Sequence, residues 1–270
     1  MSRSASNGPI VQARPKVTGV GESTARPARG RSAAWPRLVF VVVCVLAISV
    51  GFLMLHDADP ATHAQRVGLI TGLLAATSLA ATVAYLAIMV VLHVLPTGYS
   101  PVRHAVSDYG VGRYRSLFTV ALYVSSVGVL TLACALIRGV GSPPLATRDL
   151  AYLLLIPLAR IGMTLFPTSL EGQRISRAGL LHYGCAVAAF TLTYLAISGM
   201  TPTLRTLVPG EWTHAPLGWT EWIVAPALAL VVATMLRPLR RLFGVFERVF
   251  LLTTNVWFAL AAGLLLSRLS

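Results

Sequence analysis

The sequence predicts an all-α fold, a polytopic transmembrane helix bundle of about seven spans, on three observations. Only 11% of its 270 residues are charged and 56% are hydrophobic, against roughly 25% charged in an ordinary soluble domain. The mean hydropathy is +0.73. Seven windows run apolar over the roughly 17 to 25 residues that a helix needs to cross a hydrocarbon core: Leu38 to Leu55, Val67 to Leu95, Leu117 to Ile137, Leu150 to Phe166, Gly179 to Ser198, Trp219 to Leu236 and Val249 to Ser267.

Residues 1–37 are rich in Ser, Arg, Gly, Pro and Ala and lack apolar periodicity, the pattern of a disordered basic cytoplasmic tail. The tail is longer than the positive start of a cleaved signal peptide, so the first span is expected to stay as an anchor. Residues 38–66 then hold this additional helix and an outer loop, and 67–270 form a six-helix membrane domain. The loop "HDADPATH" offers ligand types in His56, Asp57, Asp59 and His63, but its Asp-Pro step suits a turn between helices. The fourth window contains Arg160; the sixth has Glu221 near its start and Pro226 inside. The longest outer loop, Gly199 to Gly218, leads to Trp219 and includes Trp212, both suited to a membrane interface. Cys44, Cys134 and Cys185 fall in three different spans without paired spacing, as small core residues would.

Lys and Arg concentrate in cytoplasmic loops. With the N-terminus inside and seven spans, sixteen basic residues lie inside and five outside, with Arg160 within a span. The bias predicts a cell (inner) membrane protein with a cytoplasmic N-terminus and an external C-terminus. The net charge of +13 then lines one membrane face, where anionic headgroups are the partner, each basic residue contributing roughly 1 kcal/mol. No nucleic-acid-binding motif accompanies it.

Polar chemistry gathers between the second and third spans in "YSPVRHAVSDYGVG", Tyr99 to Gly112. Ser100 followed by Pro101 reads as a helix start, and Gly110 and Gly112 as a left-handed stop. The expectation is a two-turn interfacial helix. Val102, Val106 and Tyr109 would share its apolar face, and His104 and Asp108 would stand one turn apart on a neighbouring face. Such a pair is a candidate for metal ligation, for proton transfer with Asp108 orienting His104, for a headgroup-binding surface, or for an ordinary helix-fixing contact.

Two further segments are expected at the same end of the bundle. "ARIGMTLFPTSLEG" carries Arg160 about 9 Å from the end of its span at 1.5 Å per residue. An arginine at that depth needs a partner or an exit to water, with Asp108, Glu171 or a phosphate as candidates. "SRAGLLHYG" places His182 one turn into the fifth span, and His93 lies at similar depth near the end of the second. No HExxH helix, GxSxG elbow or phosphate-binding loop is present.

At "GYSPVRHAVSDYGVGRYRSLF", "RIGMTLFPTSLEG" and "GLLHYGCAVAAF" the chain resembles the bacterial and archaeal membrane family called domain of unknown function 998. The resemblance spans roughly Val67 to Ser267, with the tail and first span as additions. Its most specific element is H-x-x-S-D-Y-G, matched by His104, Ser107, Asp108, Tyr109 and Gly110; Phe166, Pro167, Thr168, Leu181 and His182 match later elements. Ser169 stands where the family pattern often shows aspartate, with Glu171 two residues on. The resemblance implies a membrane bundle and implies no substrate.

Three functions are compatible with these residues. One is a cytoplasm-facing polar pocket that binds or transports a small or lipidic anionic ligand, using His104, Ser107, Asp108, Tyr109, Arg160, Glu171 and His182. Another is a metal-dependent lipid hydrolase or transferase in which His104, Asp108 and His182 hold a divalent metal such as zinc. The third is a structural or regulatory membrane protein whose polar cluster ties helices together.

Overall fold

The computed structural model describes residues 60–141, 144–170, 174–207, 211–236 and 238–268. The tail, the window from Leu38 to Leu55, the ligand types His56, Asp57 and Asp59, and Glu171 lie outside the described residues. Six α-helices occur within them: α1 (Pro60–Val94), α2 (Arg115–Gly139), α3 (Thr147–Leu165), α4 (Arg177–Thr206), α5 (Glu211–Ala233) and α6 (Phe243–Ser267). A 3-10 turn, Val106–Gly110, sits between α1 and α2, and another, Arg240–Leu242, leads into α6.

Five stretches are long and apolar enough to cross a membrane: Gly68–Val94, Arg115–Gly139, Arg177–Thr206, Ala215–Ala233 and Arg240–Ser267. The chain is an integral membrane protein with transmembrane helices. The remaining helix, α3, fills the fourth predicted window but carries Arg148, Asp149 and Arg160.

Several helices outrun their predicted windows because hydropathy marks only the part of a helix that suits lipid. α1 starts at Pro60, inside the expected outer loop; proline at a first helical position loses no intrahelical bond. α4 continues through "GMTPTLRT" to Thr206, so most of the predicted Gly199 to Gly218 loop is helical. α6 begins at Phe243, six residues before the predicted Val249. That last extension brings Glu247 and Arg248 into the bundle.

Each helix packs on its chain neighbours, and α6 returns to α1, which closes a ring; α6 also touches α2 and α4. The buried face of α6 repeats at helical spacing through Gly244, Glu247, Phe250, Thr254, Trp257, Ala261 and Leu265. Trp257 is fully buried, and its indole N–H donates to Thr201 Oγ1 at 2.9 Å, so the ring enters the core without an unmet donor. α1 and α2 approach closely at Gly128, where a Cβ would lie 3.0 Å from Ala81 Cβ. Leu69, Leu73, Val83, Leu180, Val187, Trp222 and Leu252 are exposed. In water such surface would be a liability; facing lipid it is the expected exterior.

Candidate functional site

The polar stretch after α1 does not form the expected two-turn helix. His104 N–H donates to Ser100 O at 2.9 Å, which completes one turn. Ala105 is then extended (φ −62°, ψ 150°), and Val106–Gly110 resumes as a 3-10 turn. The break has a tertiary cause. Val106 N–H donates to Glu247 Oε2 at 2.6 Å, and His104 O accepts from Arg248 Nη1 at 3.0 Å, so α6 takes backbone groups that a continuous helix would pair internally. The one-turn stacking of His104 and Asp108 is lost with it. His104 Nδ1 accepts instead from Ser100 N–H at 2.9 Å.

The two glycines do not act as left-handed stops, since the positive φ among the described residues is at Gly98. Gly110 is required by proximity: a Cβ there would lie 2.9 Å from the Phe118 ring. Of the expected apolar face, Val106 and Tyr109 are buried while Val102 is exposed.

Arg248 holds this segment to two helices. Its Nε–H donates to His93 Nε2 on α1 at 2.6 Å, its Nη1 also to Gly244 O at 2.9 Å, and its Nη2 to Tyr109 Oη at 3.4 Å. His93 Nδ1 donates to Met89 O at 2.6 Å, which leaves Nε2 as the acceptor that arginine requires. The Tyr109 ring meets His93 edge-on, and Tyr99 packs on both Tyr109 and His104. Burial, with the Asp108 charge adding to it, pushes the Tyr99 phenol above its usual value.

Beneath this segment lies a cavity bounded by α1, α2, α3, α4 and α6. It is lined by Tyr85, Ser107, Arg160, Thr193, Glu247 and Thr254 among apolar walls that include Phe118, Phe190 and Phe250. The space open to the centres of water molecules is about 40 Å³, enough for about three waters. Arg160 is 8% exposed and enters from α3; its Nη1 donates to Ser125 Oγ at 2.7 Å and to Ser125 O at 3.2 Å. The Phe258 ring centroid lies 6.0 Å from its guanidinium carbon. Glu247 is 5% exposed and enters from α6. Among the described residues neither makes an ion pair.

The structure therefore brings Ser107 and Arg160 to one cavity and holds His104 and Tyr109 just outside it on Arg248, with Asp108 buried in the 3-10 turn between them. His182 is engaged elsewhere. It is buried at the start of α4 and donates from Nδ1 to Phe166 O at 2.8 Å, and Nε2 has no hydrogen-bond partner among the described residues. The neighbouring "FPTS" segment is fastened to the same helix: Tyr183 Oη donates to Ser169 O at 3.0 Å, Ser176 N–H donates to Ser169 Oγ at 3.1 Å, and Ser176 Oγ caps Gly179 N–H at 3.0 Å. Among the described residues no three His, Cys, Asp or Glu side chains gather closely enough to hold a metal ion, so His104, Asp108 and His182 do not form a three-ligand set.

Sequence reasoning missed Glu247, Arg248 and Tyr85. Starting the last span at Val249 left Glu247 and Arg248 in a loop. The signal was present in the 3.6-residue repeat of the last span, which extends backwards from Thr254 through Phe250 to Glu247.

The family described as "Protein of unknown function (DUF998)" matches the chain over residues 79–264. No curated protein and no solved structure matches it.

Proposed function

This chain belongs to the DUF998 family of proteins of unknown function, and from that premise and the cavity beneath the Tyr99 to Gly112 segment we propose that it is a seven-span protein of the cell membrane that binds a small anionic group in a polar pocket facing the cytoplasm. The observation that carries this reading is Arg160. A guanidinium stays charged under all ordinary conditions, and this one is buried beside a cavity with serine oxygens and a phenyl face but makes no ion pair among the described residues. A buried charge that is not closed into an ion pair is costly, and an anion entering the cavity offsets that cost. Tyr85 and Ser107 line the same space and supply hydroxyls for such a group. Transport across the membrane is the activity that a pocket in this position would serve.

The sidedness of basic residues supports the cytoplasmic orientation, since the Arg103, Arg113, Arg115, Arg174 and Arg177 loops flank the cavity end of the bundle. The test is titration of the detergent-purified protein with inorganic phosphate and with acetate, beside Arg160→Gln. Saturable binding that weakens at least about tenfold in the variant supports the reading, a loss of 1.4 kcal/mol or more. Equal responses of the two proteins would overturn it. Native mass spectrometry of the same preparation separates a retained anionic lipid from a free solute.

A further inference from the structure

The cavity at Arg160 carries a second ionisable group of opposite sign. Glu247 stands on α6 and Arg160 on α3; both line one space, and neither closes onto the other as an ion pair. In a low-dielectric interior, groups of opposite sign held apart across a cavity answer each other incompletely, even though Val106 N–H and the Arg248 charge also bear on Glu247. An anion alone would answer Arg160 but bring negative charge towards Glu247. A cation alone would do the reverse.

Two threonine hydroxyls that line the same cavity are also polarised in one direction. Thr193 Oγ1 donates to Ala189 O at 2.7 Å and Thr254 Oγ1 donates to Leu251 O at 3.0 Å. Their protons are committed to backbone, so towards the cavity they offer lone pairs, which accept from N–H donors. Phe190 and Phe250, tilted at 35° with centroids 4.8 Å apart, add aromatic surface of the kind that attracts cations.

We propose that the occupant is a small zwitterion, its anionic group on Arg160 and its ammonium on Glu247 with the threonine oxygens. This rests on the reading of Arg160 as an anion site. The space, about 40 Å³ for water centres, has room for about three waters, which limits the occupant to roughly the size of a small amino acid.

The experiment compares glycine and alanine with acetate, propionate and ethylamine as probes, by calorimetric titration of the full chain in detergent. The amino acids are expected to bind at least about tenfold tighter than the matched acids or the amine, because a site built for two poles rejects an analogue lacking one. Glu247→Gln is expected to remove that preference. Glutamine keeps a side-chain oxygen for Val106 N–H, so the fold is retained, and the wild-type comparison stands without any variant. Acetate and propionate binding as tightly as the amino acids would overturn the zwitterion and leave the anion site standing. No binding of any probe would overturn both.

Discussion

Arg248 on α6 and His93 on α1 meet at 2.6 Å, Nε–H to Nε2, and this contact ties together the two helices that close the ring. The same guanidinium reaches His104 O and Tyr109 Oη, so one side chain fixes the ring closure and the segment above the cavity at once. Arg248→Ala is expected to cost about 1.5 to 3 kcal/mol, the usual range for a hydrogen bond involving a charged group. Arg248→Lys should recover less than half, because an ammonium lacks the planar fork that serves several acceptors. Thermal unfolding in detergent checks both, and an unchanged Arg248→Ala midpoint would show that the contacts contribute little.

Two glycines should respond oppositely to the same substitution. At Gly244 a Cβ would overlap the backbone oxygens of Pro101 and His104, which cannot withdraw without moving the whole segment. Gly244→Ala is expected to destabilise by about 1 to 3 kcal/mol through overpacking. Gly184 on α4 has nothing within 4 Å of its added Cβ, and Gly184→Ala should stabilise by up to about 1 kcal/mol through helix propensity. Unfolding midpoints of the two variants that moved in the same direction would contradict this.

Ser125 orients Arg160 by its side chain and by its carbonyl, at 2.7 and 3.2 Å. Ser125→Ala removes the first and keeps the second. The expected result is a loss of about 1 to 2 kcal/mol in stability, with weaker phosphate or acetate binding from a less well placed guanidinium. Calorimetry of the folded variant reads the second effect separately from the first.

The expected sidedness can be tested without ligand. In a background with Cys44, Cys134 and Cys185 replaced, an impermeant thiol reagent should reach Arg103→Cys and Arg174→Cys from the cytoplasmic side and Arg148→Cys from the other. All three parent residues are exposed. Labelling of Arg103→Cys and Arg174→Cys from opposite sides would separate the segments that the proposed pocket unites.

The hydropathy of the chain, read locally, was enough to establish a helical membrane protein and to place the core of each described helix, including the sixth window despite Pro226 and Glu221. It also singled out Ser107 and Arg160, because polar residues next to apolar runs stand out in one dimension. The helix ends were less legible: the polar turns at Pro60, Thr206 and Phe243 remain helical beyond the stretch that lipid selects for. Only the tertiary structure decided the conformation of the Tyr99 to Gly112 segment, where local signals for a helix lost to Glu247 and Arg248. Those partners lie 141 and 144 residues along the chain from Val106 and His104. Composition and spacing register what a residue is and what stands a few turns away; a charge at the far end of the sequence becomes a neighbour only when the six described helices close into a ring.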